Sequence, residues 1–201
     1  MPTNRIEAFS DGVIAVIITI MVLELKPPRD STFASLLAVA PQFLAYVLSF
    51  LVVAIMWVNH HHLLHAARHA DARLLWSNNN LLFWMSLVPF VTAYMGKNHR
   101  DPHAVAPYGA VMFMCGSAFS ILRSAISAHH RDNPEMMHYQ HRTQVKNVFS
   151  AALYGVSVPL AFVDVRISFA IYAFVALSYF LPERKLAEPD GDQTQPPVHS
   201  P

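Results

Sequence analysis

Arg5-Ile-Glu-Ala-Phe9-Ser10-Asp11-Gly12-Val-Ile-Ala-Val16-Ile-Ile-Thr19-Ile-Met-Val-Leu23 opens polar and then turns apolar, with Thr19 the only polar side chain between Gly12 and Glu24. About 20 apolar residues without polar alternation are what a helix needs to cross the hydrocarbon core of a bilayer. Arg5, Glu7 and Asp11 precede the run and no small-x-small site follows it, so it reads as a span and not as a cleaved signal peptide. Working outward, the chain divides into six apolar segments: 6–25, 36–58, 74–95, 108–127, 145–162 and 167–181. Turn and charge signals separate them: Lys26-Pro27-Pro28-Arg29-Asp30, Lys97 to Pro102, His129 to Pro134, and Asp164-Val165-Arg166. The last two segments are short, which leaves five spans as the alternative count.

Composition agrees with a membrane class. Apolar residues make up 54% of the chain and charged residues 13%, about half the ~25% of soluble domains; mean hydropathy is +0.31. Fourteen Lys and Arg against thirteen Asp and Glu leave no basic excess for nucleic acid. The single cysteine, Cys115, excludes an internal disulfide framework and a cysteine zinc cluster. No GxGxxG or GxxxxGK[ST] motif occurs among the six glycines, which argues against a phosphate-cradling enzyme. Residues 1–181 read as the membrane domain and 182–201, rich in Pro, Asp, Gln and Glu, as a disordered cytoplasmic tail. With the N-terminus inside, nine Lys and Arg fall on the inner side and five (Lys26, Arg29, Lys97, Arg100, Arg166) on the outer. That bias puts both termini in the cytoplasm.

At 100° per residue, Gly12, Val16, Thr19 and Leu23 share one face of the first span, and Arg5 extends the stripe at its inner end. Small residues and threonine serve helix packing in membranes. The same stripe, repeated around an axis, offers apolar rings at Val16 and Leu23 that gate by dewetting, and a hydroxyl layer at Thr19 that replaces part of a cation's hydration. Spacing alone serves both readings.

Three polar clusters come to one depth if the spans alternate direction. They are Ser10-Asp11, then Trp57-Val-Asn59-His60-His61-His62, then Trp76-Ser77-Asn78-Asn79-Asn80. Buried polar groups cost a few kcal/mol each when unpaired. The expectation is therefore a network joining Ser10 and Asp11 to Trp57, Asn59, His60, His61 and the Asn78–Asn80 run, fixing the inner end of the first span. The alternative is that the histidines only cap a helix in the headgroup zone.

Arg5-x-x-x-Phe9-Ser10-Asp11 at the start of the first span resembles the signature of the transmembrane protein 175 family of potassium channels. Trp57-x-Asn59-His60-His61 and Asn80-Leu-Leu-Phe-Trp-Met-Ser-Leu-Val-Pro89-Phe90-x-Thr92-Ala93 are similar to that family too, so the likeness covers residues 5–96. One signature is present, as in the single-repeat bacterial form. The resemblance implies an all-α, six-span bundle in the bacterial plasma membrane. It further implies a homotetramer with the first helices lining the pore and K+ as the permeant ion, with no cofactor and no catalysis. It maps the main apolar constriction onto Val16, the hydroxyl layer onto Thr19 and a further apolar ring onto Leu23. Ile or Leu is usual at the first of these, so Val16 implies a wider ring.

The histidines support a different class. His61, His65 and His69 are spaced for one helical face, and His129, His130, His138 and His141 fall in a long inner loop. A proton- or metal-coupled transporter using these clusters is the alternative function. No HxxHH box occurs and Asp71 is the only carboxylate near His61–His69 in sequence, so a protonatable interfacial surface without metal is the expectation. Pro89, well inside the third segment, predicts a kink, and Gly109 and Gly116 predict close helix packing.

Overall fold

The computed structural model describes residues 3–67, 71–127 and 134–179, with the side chains of 134–143 outside the description. The regular structure among the described residues is all helical: α1 (Thr3–Leu23), α2 (Phe33–Ala38), α3 (Ala40–His65), α4 (Ala72–Ser86), α5 (Val88–Lys97), α6 (Pro102–Ser127), α7 (Pro134–Ala161) and α8 (Val165–Ser178). Three of them, α1, α3 and α6, are long and apolar enough to cross a membrane. The expected tail, 182–201, and His69, His129 and His130 lie outside the described residues.

Local chemistry explains the boundaries. Asp71 and Asp164 cap α4 and α8, accepting from the backbone N–H of Leu74 and Arg166 at 2.8 Å; Asp101 accepts from the His103 N–H at 2.9 Å as α6 begins. Short acidic side chains at these positions satisfy helix-end donors that have no partner within the helix. The third apolar segment is interrupted at the single residue Leu87, two residues before Pro89, and so divides into α4 and α5; Pro89 stands in the first turn of α5, where its missing N–H costs nothing. The fifth segment begins earlier than expected. From Pro134 the chain is already helix, so His138 and His141 belong to α7 and not to a loop. Pro134 opens that helix at the position prolines favour. The six-residue α2, with Phe33, Leu36 and Leu37 exposed, takes up the first residues of the segment expected at 36–58; the long apolar helix α3 starts only at Ala40 and runs on to His65.

Helix α6 is the hub, packed against α3, α4, α5, α7 and α8, whereas α1 lies against α3, α4 and α5. In their most apolar stretches 56% of α6 residues are buried, against 28% in α1 and 22% in α3. Outward-facing Phe43, Leu44, Phe83, Phe90, Phe174 and Leu177 are all more than half exposed. So much apolar surface on one protomer is the signature of a body solvated by lipid or by copies of itself.

The α6–α7 seam depends on two glycines. A Cβ at Gly116 would lie 2.8 Å from Ala151 Cβ, and one at Gly109 would lie 2.5 Å from Ser157 Oγ. Nearby, Asn147 of α7 donates to the Gly116 carbonyl and to Ser120 Oγ at 3.1 and 2.7 Å. Gly116→Leu is therefore expected to force α6 and α7 apart and to destabilise the protomer by about 1–3 kcal/mol, seen as a lowered Tm in detergent; an unchanged Tm would contradict the seam.

Candidate functional site

The N-terminal half of α1, the C-terminal half of α3 and the start of α4 meet at one end of the protomer and bring most of the polar clusters together. Ser10, His60 and Asn78 are essentially without solvent contact. Asn78 Nδ2 donates to Ser10 Oγ at 2.9 Å, Asn78 Oδ1 lies 2.8 Å from His60 Nε2, and Ser10 Oγ donates to the Ile6 carbonyl at 2.8 Å. These bonds fix the proton positions. Ser10 gives its hydrogen to Ile6, so it accepts from the carboxamide NH2; the carboxamide oxygen then accepts from His60, whose Nε2 carries the hydrogen. Among the described residues His60 Nδ1 is left buried as a lone pair without a partner, in keeping with a neutral ring.

Beside this relay, Trp57 Nε1 donates to Asp11 Oδ1 at 2.9 Å, tying a second point of α1 to α3. His61 does not join the relay. Its Nδ1 lies 2.8 Å from Glu7 Oε1, with His65 Nε2 at 3.6 Å from the same oxygen. Glu7 is thus the carboxylate beside the histidines, while Asp71, the candidate nearest in sequence, is engaged as a helix cap. Asn59 and Asn80 are half-buried and make no side-chain hydrogen bond among the described residues. Asn59 instead lines a cavity of about 50 Å³ between α3, α6, α7 and α8, with Met112, Asn147 and Tyr154 among its walls. Arg5 and Phe9 stand exposed, Phe9 at 59%, and Arg5 makes no ion pair among the described residues.

The Gly12-Val16-Thr19-Leu23 stripe faces away from the protomer. Helix α1 buries Ile6, Ser10, Ile14, Ile17 and Met21, roughly opposite the stripe at 100° per residue. Val16 is 55% exposed and Leu23 77%, and a Cβ at Gly12 would have nothing within 4 Å. Thr19 is exposed as well; its Oγ1 donates to the Val16 carbonyl at 2.9 Å. That bond uses the hydroxyl hydrogen inside the helix and leaves the oxygen lone pairs directed outward. At the far end, Glu24 stands 3.8 Å from Lys97, both half-exposed, a pair worth less than about 1 kcal/mol.

A second buried polar chain went unread in the sequence. Thr92 of α5 donates to Ser49 of α3 at 2.8 Å, and Ser49 donates to the Tyr108 hydroxyl of α6 at 3.2 Å. Isolated Ser and Thr in apolar runs bond to their own helix often enough that nothing local singles out Ser49.

The model of the family described as endosomal/lysosomal potassium channel TMEM175 matches residues 5–89. A potassium channel of Chryseobacterium sp. (strain P1-3) is 40% identical over 186 residues, covering 92% of this chain and 96% of its own. A potassium channel of Streptomyces collinus is 33% identical over 202 residues, covering 93% of this chain and 98% of its own. Among solved structures, a lysosomal potassium-selective channel TMEM175 homologue from Chamaesiphon minutus superposes with a TM-score of 0.79 at 30% identity, over 89% of this chain and 96% of that one. These relatives are named ion channels, not enzymes, and they align along nearly their whole length; the chain belongs to the TMEM175 family.

Proposed function

We propose that this chain is a passive potassium channel, integral to the bacterial plasma membrane. Four copies surround an axis and turn the Gly12-Val16-Thr19-Leu23 face of α1 towards it. The observation that carries the reading is the exposure of that face: the protomer packs the opposite side of α1 and leaves the stripe bare. The potassium-channel names of the relatives agree with it. In this arrangement Val16 and Leu23 form apolar rings, and the Thr19 hydroxyls lie between them with oxygens free to meet a partly dehydrated cation. Gly12 keeps the inner stretch wide.

The span count in this reading is six: α1, α3, the α4–α5 pair, α6, α7 and α8. Both termini are then cytoplasmic, which sets the Ser10–Asn78–His60 relay and the Asp11–Trp57 bond at the inner end. Their role is to anchor the lining helix to α3 and α4 so that its bare face holds one orientation. Arg5 and Phe9, exposed beside the stripe, face the axis or a neighbouring subunit. Their part in anchoring is between copies and not within one.

Thr19→Ala is expected to lower the permeability of K+ relative to Na+ in liposomes or planar bilayers while the oligomer stays intact by gel filtration. An unaltered ratio would remove Thr19 from selectivity. Flux that needs a coupled proton or metal gradient would favour the transporter alternative over the channel. Asn78→Leu keeps the volume and removes both relay bonds. It leaves the His60 Nε2–H without its acceptor at a cost of about 1–3 kcal/mol, while Ser10 keeps its bond to Ile6 and loses only the one it accepts; both Tm and K+ flux are expected to fall, and wild-type flux in that variant would detach the relay from conduction.

A further inference from the structure

His61 and His65 are one turn apart on α3, so both imidazoles stand over one face of the helix. Glu7 of α1 reaches that face, with Oε1 at 2.8 Å from His61 Nδ1 and 3.6 Å from His65 Nε2. The ring centroids of the two histidines are 4.7 Å apart, and the three candidate ligand atoms lie within 4.8 Å of one another. Two imidazoles and a carboxylate are a donor set that Zn2+ takes, and ligands about 2.0–2.2 Å from a tetrahedral zinc stand about 3.3 Å from each other. The two measured separations bracket that spacing.

A second observation concerns direction. His61 Nδ1 is shielded from solvent and makes no aligned hydrogen bond, although the Glu7 oxygen is so close. A hydrogen-bonded pair lines up along the N–O vector; this pair is near without lining up, as two ligands are when both address a third atom. The His65 side chain is 66% exposed, which gives an ion a way in and leaves room for water in the remaining position.

We propose that Glu7, His61 and His65 form a site for a borderline divalent transition metal, with Zn2+ the best match, that clips α1 to α3 at the N-terminal end of α1. The carboxylate belongs to a helix 54 residues earlier than His61, so the triad exists only in the folded protomer. Metal at this point adds a third tie between α1 and α3 beside the buried relay. It therefore acts as a modulator of the helix and not as transported cargo.

The test uses the full-length protein in detergent, stripped by a chelator and then exposed to Zn2+. Wild type is expected to retain one equivalent per chain more than the His61→Ala/His65→Ala variant, measured by mass spectrometry of the metal after gel filtration. Glu7→Gln, nearly isosteric, is expected to weaken Zn2+ binding by about tenfold or more, read by competition with a chromophoric chelator. His65→Ala alone removes an exposed side chain, so its loss of binding reports the site and not unfolding. Co2+ in place of Zn2+ adds the visible absorption of a four-coordinate site, absent in the variants. Equal metal content and affinity in wild type and all variants would overturn the proposal, as would a wild type that retains no ion. None of these readouts involves ion flux, so their failure leaves the channel reading standing.

Discussion

A carboxamide buried between membrane helices must have both its donor and its acceptor answered, because no water is there to do so. Asn78 meets this by donating to Ser10 of α1 and accepting from His60 of α3. Three helices are thereby tied at one point, and since each unanswered group costs a few kcal/mol, the tie also fixes rotation. If α1 turned by one residue, Ser10 would leave Asn78, and the carboxamide NH2 would be stranded in an apolar surround. The Asp11–Trp57 bond adds a second constraint one residue along, on a side of α1 reached only in the same orientation.

Fixing one face of α1 defines the other. The residues it buries, from Ile6 to Met21, follow a helical period, and everything opposite is left for something outside the protomer. Helix α6 is the reverse case, packed against α3, α4, α5, α7 and α8 and dense with Tyr108, Met112, Cys115 and Phe119. The fold thus separates its duties: α6 and the glycine seam with α7 hold the protomer together, while α1 presents a surface. The Thr92–Ser49–Tyr108 chain performs for α3, α5 and α6 what the relay performs for α1, α3 and α4, with neutral hydroxyls in place of amide and imidazole.

The residues of this polar end of the bundle were legible to different degrees, for physical reasons. Ser10, Asp11, Trp57, His60 and Asn78 were readable because polar side chains flanking or interrupting apolar runs need partners, and alternating spans carry them to one depth. Asn59 and Asn80 sit in the same clusters but turn elsewhere, since neighbours on a helix point 100° apart and only some of them face the seam. Glu7 went unread for the complementary reason. It precedes the apolar run by enough to pass for a solvated helix start, and nothing near it in sequence announces His61. The break at Leu87 was half visible: Pro89 signalled a disturbance, but whether a proline bends a helix or restarts one depends on what the neighbouring helices allow.

The sequence by itself determined the medium and the material. Long apolar runs, few charges and capped or proline-marked breaks leave helices in lipid as the only way to satisfy so much backbone without water. It also determined which residues share a face of α1, because that follows from the helical period alone. Which of the two faces is buried was decided only by tertiary structure. Both are apolar, and the choice rests on contacts with α3, α4 and α5 that lie far away along the chain. The same holds for the pairing of Glu7 with His61 and of Asn78 with Ser10: hydrogen bonds over such separations are specified by how helices pack, and no local pattern encodes them.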